Sequence, residues 1–503
     1  MLHPEGIMKR RLLAAFICLT FFLSLTVGMH GAVEAADQVL LPAYVKGNDK
    51  WGYVNLSGKI AVPAAFTRAY PFVGPYARVE LGNEVGYIDR SGKLLFTKKV
   101  DSAYDFTDGL AVVSVGKRDQ KGEYIPYSGK YGYINSKGQY VVPPQYMSAE
   151  SFRNGVGKVT LFNGTCGYIN KTGSYLIAPA KQQCFGMYEK LIVTYKEGTY
   201  FYYDTSGNLL YQYPYHFNRD LSKDAKPKLQ AVRVKKKYGF ADSAGRLIIP
   251  PQWDFAGAER GTWGDGLIPV RNTGKPYGYI NEQGKYVLEP VYSMARTFSG
   301  GMAPVKHVEH EKDYWRYIDR DGNDVLPPKY LDAYPFVGDI AIVREKVGKE
   351  GTVYFLFGLI NRKGEYVVEP QFEYLDYVES GYYQFYTTGT YNHAFSGIKR
   401  AGYLDSNGRI LFEGPYTEVS REIVDHLGKI IDQTSETVWV NGKQETRYGI
   451  REGIVDLRSG KIIVPPIYNS IQLDAENKVI SSYDRDEKGI DYYRFDGQVI
   501  YKP

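Results

Sequence analysis

The stretch KWGYVNLSGKIAVPAAF (residues 50–66) decides the fold, because it has the pattern of a complete β-hairpin and recurs along the chain. Its two apolar segments alternate as strands do, and a polar turn from Asn55 to Gly58 separates them. An Asn side chain can accept hydrogen bonds from the backbone ahead of it, and a Gly three residues later accepts a positive φ. These features predict a type I turn closed by a glycine bulge.

Eleven related hairpins follow the first, so the chain is a repeat array with a period of roughly 40 residues. Their sequences are VGYIDRSGKLLF (85–96), YGYINSKGQYVVPP (131–144), CGYINKTGSYLIAP (166–179), YFYYDTSGNLLY (200–211), YGFADSAGRLIIPP (238–251), YGYINEQGKYVLEP (277–290), WRYIDRDGNDVLPP (315–328), FGLINRKGEYVVEP (357–370), AGYLDSNGRILF (401–412), EGIVDLRSGKIIVPP (452–466) and YYRFDGQVIYKP (492–503). Structural turn roles are therefore predicted for Asn55, Gly58, Asp89, Gly92, Asn135, Gly138, Asn281 and Gly284.

Each hairpin is followed by an exit and a third strand. Prolines such as Pro143-Pro144 are expected to stop the second strand, and an aromatic two residues later to fill the gap between units. A strand such as GLAVVSV (109–115) then begins near a glycine. The sequence predicts an all-β fold: a tandem array of about twelve three-stranded antiparallel meanders. We expect an open curved stack, with one or two β-propellers as the alternative.

The N-terminus has the pattern of a secretory signal peptide. Three basic residues, Lys9 to Arg11, precede an uncharged apolar run, and Val33 and Ala35 provide small residues for cleavage after Ala35. An uncleaved membrane anchor is the alternative. No other segment is long and apolar enough to cross a membrane, so no transmembrane anchor is expected after cleavage.

These patterns divide the chain into five parts. We predict a signal peptide (1–35), a linker or N-terminal cap (36–49), repeats 1–5 (50–213), repeats 6–10 after a charged connector (214–413), and an irregular insert with repeats 11–12 (414–503). Within the insert, the apolar spacing of TEVSREIVDHLGKII (417–431) could support a short helix.

The hairpin, the proline exit and the F-x-x-G-x-A-x-V strand together resemble the bacterial WG (KWG) repeat family, from Lys50 to the C-terminus. The resemblance implies an exported β-repeat protein and provides no catalytic residues. Trp stands at the first motif position only at Trp51 and Trp315. A contact with a ligand or partner that depends on this Trp could therefore involve only these two residues.

Composition limits the remaining functions. The net charge of +6 is mild for 503 residues, so no nucleic-acid partner is expected. Cys166 and Cys184 are the cysteines left after cleavage, and a disulfide between them is possible in an oxidising compartment.

Few residues suggest chemistry. KHVEHEKD (306–313) contains His307 and His310, but positions three apart on a strand face opposite sides, so a solvated connector is expected. DRDGND (319–324) resembles a calcium loop yet occupies a hairpin turn, and Lys235 to Lys237 has the pattern of a solvated loop. No catalytic constellation, metal site or cofactor is predicted.

The sequence therefore favours an exported, non-catalytic binding or scaffolding module at the cell envelope or outside the cell. A protein or a cell-wall polysaccharide is the expected partner, because variable loops on a repeat array suit either. The alternative is a carbohydrate-active enzyme, a glycan hydrolase or lyase, since two units could bring a pair of carboxylates together. A purely structural spacer is a third possibility.

Overall fold

The computed structural model describes residues 39–116, 128–187, 190–213, 229–242, 246–257, 263–307, 314–349, 352–388, 398–440, 443–484 and 489–503. Within these ranges the regular elements are β-strands, paired antiparallel in small consecutive sheets. There are eleven sheets in these ranges, each of which we call a unit, except that the seven-stranded sheet consists of two units. We number the units 1 to 12 in chain order and call the strands of a unit a, b, c and d. No helix in these ranges has the length and apolar character needed to cross a membrane.

The strand bounds show the repeat directly. Units 1 to 4 contain β1 (Leu40–Val45), β2 (Lys50–Asn55), β3 (Ile60–Phe66); β4 (Arg68–Val73), β5 (Tyr76–Leu81), β6 (Glu84–Asp89), β7 (Leu94–Lys98); β8 (Ser102–Ala103), β9 (Leu110–Val115), β10 (Lys130–Asn135), β11 (Tyr140–Tyr146); β12 (Ser148–Ala149), β13 (Gly157–Thr160), β14 (Cys166–Ile169) and β15 (Tyr175–Ala180). Units 5 to 8 contain β16 (Gln183–Cys184), β17 (Ile192–Lys196), β18 (Thr199–Tyr203), β19 (Leu209–Tyr213); β20 (Leu229–Val234), β21 (Lys237–Asp242), β22 (Leu247–Trp253); β23 (Phe255–Ala256), β24 (Leu267–Arg271), β25 (Tyr277–Asn281), β26 (Tyr286–Ala295), β27 (Ala303–His307), β28 (Trp315–Ile318) and β29 (Asp324–Tyr330). Units 9 to 12 contain β30 (Asp332–Ala333), β31 (Ile340–Lys349), β32 (Thr352–Asn361), β33 (Tyr366–Phe372); β34 (Tyr374–Tyr377), β35 (Tyr382–Thr388), β36 (Ile398–Asp405), β37 (Ile410–Gly414); β38 (Glu418–Val424), β39 (Leu427–Val440), β40 (Lys443–Asp456), β41 (Lys461–Tyr468); β42 (Ser470–Asp474), β43 (Val479–Tyr483), β44 (Asp491–Arg494) and β45 (Val499–Tyr501).

Strands c and d are the predicted hairpin. The third predicted strand, such as β9 after the hairpin of unit 2, pairs with the next hairpin instead and is strand b of the next unit. Most units add a short strand a that the sequence did not indicate. β26 is continuous and serves as strand d of unit 7 and strand a of unit 8. Units 1 and 6 consist of strands b, c and d within the described residues. The predicted all-β tandem array of meanders is confirmed.

The proline exit differs from the prediction, because the prolines lie inside strand d and do not end it. In unit 3, Tyr133 pairs with Val142 and Tyr131 pairs with Tyr146, so Pro143 and Pro144 lie in a bulge between two paired positions. In this unit strand d is an edge strand, so the N–H that proline lacks is not needed by a further strand. The bulged segment crosses Gly132, where an added Cβ would lie 2.5 Å from the carbonyl oxygen of Val142. The glycine of the motif is therefore required by the close approach of the bulge.

The hairpin turns have the predicted geometry. In unit 1 the N–H of Gly58 donates to the carbonyl of Asn55 at 2.9 Å, and Gly58 has a φ of 76°. The side-chain Oδ1 of Asn55 accepts from the N–H of Ser57 at 3.0 Å and from that of Lys59 at 3.1 Å. Asp89 accepts the corresponding bonds from Ser91 and Lys93.

The hydrophobic core lies between the units. Twelve clusters of buried side chains each join two consecutive units, and one of them joins unit 12 to unit 1. In that last cluster Tyr492 and Ile500 of unit 12 pack against Leu41, Trp51 and Leu56 of unit 1. Within the described residues the units therefore form one closed ring, and we call the junction between units 12 and 1 the seam.

This closure corrects the expected open stack in favour of a single propeller-like ring. The repeat pattern shows that neighbours stack, but it carries no information on the rotation from one unit to the next. A rotation of about 30° per unit brings twelve units back to the start, and a slightly different value would leave the stack open.

The predicted helix at 417–431 is wrong, because these residues form β38 and the start of β39. Val419, Ile423, Leu427 and Ile430 are buried between units 10, 11 and 12, and the strand pairing decides which residues face inward. The charged connector His216 to Lys228 lies outside the described residues. The predicted division of the array at that connector stays a prediction.

Candidate binding surface

The second aromatic of the W/Y-G-Y motif holds neighbouring units together. In seven units its hydroxyl donates to the backbone carbonyl of the residue seventeen positions later, which belongs to the next unit. The pairs are Tyr53–Tyr70, Tyr87–Tyr104, Tyr133–Glu150, Tyr168–Phe185, Tyr279–Arg296, Tyr317–Tyr334 and Tyr403–Ser420. Burial raises the pKa of the hydroxyls of Tyr53, Tyr87, Tyr133, Tyr279, Tyr317 and Tyr403, and for Tyr279 the pKa lies well above its usual value of 10.0. The tyrosines therefore stay neutral donors and serve the fold.

The seam uses the same kinds of contact as the internal interfaces. Tyr492 is the counterpart of Tyr53 in unit 12, and its hydroxyl donates to the carbonyl of Pro42 at 2.9 Å. Tyr168 and Tyr403 make the equivalent bond at internal interfaces, to the carbonyls of Val193 and Lys429. The seam is therefore a full unit interface formed by residues about 450 positions apart.

The turn glycines have a second role that the sequence did not indicate. An added Cβ at Gly92 would lie 2.8 Å from the side chain of Val62, and one at Gly138 would lie 2.6 Å from that of Phe96. Gly284 packs against Ile249 at 3.0 Å in the same way, and Gly58 lies against the backbone of Ile500 across the seam. Each of these turns is pressed against strand d of the preceding unit, so the glycine is required by both its φ and the contact.

The two cysteines are joined in a disulfide, with an S–S distance of 2.03 Å. Cys166 stands at the Trp51 position on β14 of unit 4, and Cys184 lies on β16 of unit 5. The bond therefore crosses the same interface as the hydrogen bond from Tyr168 to Phe185.

Removing the disulfide is expected to destabilise the junction of units 4 and 5. The Cys166→Ser/Cys184→Ser double variant should lose about 3 kcal/mol of unfolding free energy, since the bond closes a loop of 18 residues. Urea unfolding of the variant and of the reduced wild type measures the loss, and the two should agree. An unchanged unfolding midpoint in both would contradict a stabilising role.

The two tryptophans proposed for partner contact are both packed inside the ring. Trp315 is 3% exposed, and the guanidinium of Arg296 lies 4.5 Å from its ring centre. Trp315 belongs to the buried cluster between units 8 and 9, which leaves it almost no surface for a partner contact. Trp51 is half-buried at the seam, where its ring centre lies 5.6 Å from that of Tyr44. Both residues are explained by unit packing.

Among the residues that the sequence offered as metal ligands, Asp319 has a structural role in its turn. Asp319 of the calcium-like loop accepts from the N–H groups of Asp321 and Asn323, as Asn55 does in its own turn. Bonds from the backbone and side chain of Asn323 hold the pKa of Asp319 below its usual value. His307 ends β27, and His310 lies outside the described residues. In the described part of the chain, no three His, Cys, Asp or Glu side chains are grouped as metal ligands.

The hairpins between strands b and c differ most from unit to unit, and we call them the b–c arms. In unit 2 the arm pairs six residues of β5 with six of β6. Ten residues pair on each side in unit 9, and fourteen pair in unit 11 between β39 and β40. The eight additional pairs extend the unit 11 arm by about 26 Å beyond an ordinary one. In units 9 and 11 the arm lies at the end of the sheet opposite the turn between strands c and d, so both long arms project from the same face of the ring.

The long arms carry exposed apolar side chains. Val353 and Phe355 in unit 9 are 44% and 39% exposed, and Ile450 in unit 11 is 51% exposed. A paired hairpin holds such side chains in fixed positions, so it can present them to a partner with little loss of conformational entropy. The sequence analysis placed the unit 11 arm in an irregular insert and did not predict that it forms a long hairpin.

The fold and these surfaces define a class: a ring-shaped all-β repeat protein in which antiparallel sheets stack around a closed circle. The chain belongs to the WG beta-repeat family. The family model for the WG containing repeat matches residues 51–84, 86–118, 131–165, 238–275, 277–307, 315–346 and 357–391. These segments begin at or beside strand c, and most reach strand b of the next unit. The sequence repeat therefore spans two sheets.

Other comparisons add little. No curated protein matches the chain. Among solved structures, an acylaminoacyl peptidase from Pyrococcus horikoshii aligns at 10% identity with a TM-score of 0.24. The alignment covers 70% of this chain and 57% of that one.

Proposed function

We propose that this WG-repeat protein is exported and acts as a non-catalytic binding or scaffolding module at the cell envelope or outside the cell. The projecting b–c arms of units 9 and 11 are its contact surface, and a protein or a cell-wall polysaccharide is its partner. The observation that carries the proposal is the separation of roles along the chain. The recurring motif residues pack units together, whereas the lengthened arms lie beyond those interfaces.

Several features support a scaffold. Consecutive units contact each other through buried tyrosines and turn glycines, so loops can change without loss of the interfaces. The closed ring leaves no terminal unit without a neighbour in the described part of the chain. The signal-peptide pattern of residues 1–35 and the disulfide both suit an oxidising compartment outside the cytoplasm.

Shortening one arm at a time tests the proposal. Replacing residues 433–450 with Asn-Gly would leave six pairs between β39 and β40, from Leu427↔Asp456 to Asp432↔Arg451. This is the length of the ordinary unit 2 arm, and Asn-Gly suits a two-residue hairpin turn. In unit 9, replacing residues 346–355 leaves six pairs in the same manner.

The measurement is saturable co-sedimentation of the protein from residue 36 onward with purified cell-envelope material. We expect at least about tenfold weaker binding for the shortened unit 11 arm, with an unchanged thermal midpoint. The matched control changes Asn83 to Ser in the short b–c turn of unit 2, and it should bind normally. Full binding by both shortened variants would contradict the assignment of the arms.

The experiment also distinguishes the proposed binding module from the alternative, a carbohydrate-active enzyme. An enzyme would lose its activity through a single Asp or Glu change in a folded protein, whereas arm contacts should weaken binding in graded steps. A purely structural spacer would remain unbound in every sample.

A further inference from the structure

A cavity of about 620 Å³ lies at the seam, and its walls come from both ends of the chain. Leu41 and Pro42 of β1 line one side, and Ser481, Tyr483 and Tyr492 of unit 12 line the other. Pro71 and Phe72 of strand a of unit 2 and Gln472 and Leu473 of strand a of unit 12 also line it, so the cavity lies beside strand b of unit 1, between the strands a of its two neighbours.

At the other junctions with a described strand a, that strand occupies this position. In unit 3, Ser102 and Ala103 of strand a pair with Ser114 and Val113 of strand b. The next residue, Tyr104, accepts the hydroxyl of Tyr87 from strand c of unit 2. Strand a thus pairs with its own strand b while it touches strand c of the preceding unit. Unit 1 has no such strand within residues 39–116, so the seam cavity corresponds to its place.

Tyrosine hydroxyls replace two of the backbone bonds that strand a makes elsewhere. In unit 3 the carbonyls of Val112 and Ser114 accept from the N–H groups of Tyr104 and Asp101, each at 2.9 Å. Their counterparts in unit 1 are Pro42 and Tyr44, from the pairing with strand c. These carbonyls accept from the hydroxyls of Tyr492 at 2.9 Å and Tyr501 at 2.7 Å. A carbonyl oxygen has two lone pairs, so each can also accept a backbone N–H.

The spacing between strands a and b in other units shows which residues of this chain would form strand a of unit 1. In units 2, 3 and 9 a buried alanine of strand a precedes the start of strand b by seven residues, as in Ala69 before Tyr76 and Ala333 before Ile340. The same count back from Leu40 reaches Val33, which the predicted cleavage after Ala35 removes. If export proceeds as proposed above, the mature chain has no segment of its own for this position.

The occupants of the equivalent positions define the chemistry that fits. A small buried residue is followed three positions later by an aromatic that packs on the preceding unit's tyrosine. Examples are Ala69 and Phe72, Ala103 and Phe106, Ala295 and Phe298, and Ala333 and Phe336. The sequence at the corresponding positions of unit 1 has Val33, which is larger than the alanine found elsewhere, and Ala36, which is not aromatic.

We propose that the seam cavity is an acceptor site for an extended peptide of a partner protein, which adds to β1 as the fourth strand of unit 1. The peptide has a small residue and, three positions later, an aromatic one. Backbone hydrogen bonds to β1 provide affinity, and the two side-chain positions provide specificity, as in other cases of strand addition.

A peptide copied from the chain itself is the probe. Thr67 to Gly74 (TRAYPFVG) fills the equivalent position between units 1 and 2, so it should bind the protein from residue 36 onward saturably in fluorescence anisotropy. Hydrogen exchange should show new protection of the amide of Tyr44, whose carbonyl faces the free edge of β1, whereas Pro42 has no amide hydrogen. Peptides that carry Phe72→Ala or Ala69→Glu should bind at least about tenfold more weakly.

Two protein variants and one longer chain test whether the peptide binds in the seam cavity. Ser481→Trp places a large side chain in the cavity wall and should abolish peptide binding, whereas Ser470→Trp on the exposed side of β42 should not. The protein from residue 31 onward should bind the peptide as the shorter one does. Loss of binding in the longer chain would assign the cavity to its own residues 31–35 and overturn the proposal. Absent binding by the shorter chain, or binding unchanged by both peptide substitutions, would also overturn it.

These readouts do not depend on the b–c arms, so the arm-shortened variants should bind the peptide normally. Mass spectrometry of the protein recovered from cells identifies its N-terminal residue, independently of the peptide-binding measurements. Retention of Val33 there would contradict the cleavage that the proposed export requires, whereas peptide binding by the chain from residue 31 onward tests the acceptor site itself.

Discussion

Replacing Gly58 with alanine is expected to open the ring at the seam. The new Cβ would lie 2.1 Å from the carbonyl oxygen of Ile500, a backbone atom that cannot move aside as a flexible side chain could. The positive φ of 76° adds a strain of about 1 kcal/mol for a residue with a Cβ. Together these effects should lower the unfolding free energy by about 3 kcal/mol. Because the clash lies at the seam, the loss should first appear in units 1 and 12.

Hydrogen exchange in mild urea measures this opening. In Gly58→Ala, the amides of β1 and β44 should lose protection before those of β25 and β28, whereas the wild type should lose them together. The matched control is Gly109→Ala. Gly109 has a similar φ of 84°, yet an added Cβ there would meet nothing within 4 Å. The control should therefore cost only the backbone strain, about 1 kcal/mol, and leave the seam closed. Equal losses in the two variants would show that the seam contact carries no stability.

Truncation of Tyr279 is expected to have the largest effect inside the array. This side chain is fully buried between units 7 and 8, where its ring contacts Phe298 with centroids 4.9 Å apart. Its hydroxyl donates to the carbonyl of Arg296 at 2.6 Å. Tyr279→Ala should lower the unfolding free energy by about 4 kcal/mol, through the cavity and the lost hydrogen bond.

Tyr279→Phe separates these two contributions. It keeps the ring and leaves the Arg296 carbonyl without its donor, so it should cost about 1 to 2 kcal/mol. Phe240 stands at this position in unit 6 and is fully buried there, which shows that the ring alone fits such an interface. The control Tyr104→Ala changes a side chain that is 47% exposed and should stay within about 0.5 kcal/mol of the wild type.

Urea unfolding followed by tyrosine fluorescence and circular dichroism gives the two losses. If Tyr279→Phe costs as much as Tyr279→Ala, the hydrogen bond between units dominates and the ring matters little. If both variants match the Tyr104→Ala control, the buried tyrosines do not hold the units together.

Part of the fold followed from local physical chemistry. Asn55 and Gly58 determine a turn because the amide and the missing Cβ act within four residues, and the alternation of Trp51 to Val54 determines a strand. Repetition of this pattern predicted a stack, since a three-stranded meander cannot bury both of its faces alone. The family resemblance added the same fold and no site. These inferences needed only neighbours in the chain.

Other features depended on residues that are distant in sequence. The hydroxyl of Tyr53 donates to the carbonyl of Tyr70, and Gly92 packs closely against the side chain of Val62. Both partners lie in another unit, so neither role can be inferred from one hairpin. A signal did exist for the first, since a buried tyrosine and the next unit's carbonyl stand seventeen residues apart in seven units. The helix predicted at 417–431 failed because apolar spacing in a short segment fits both a helix and a buried strand, and pairing with β40 decided between them.

By itself, then, the sequence of this chain determined the hairpin, its repetition, and an all-β stack with its core between units. Only the tertiary structure decided that the stack closes, that Trp51 lies at the seam and Trp315 is buried, that a strand position is vacant beside β1 in the described chain, and that two arms project. The physical reason is that closure depends on a small rotation summed over twelve interfaces. Each turn, by contrast, is determined by a few adjacent residues.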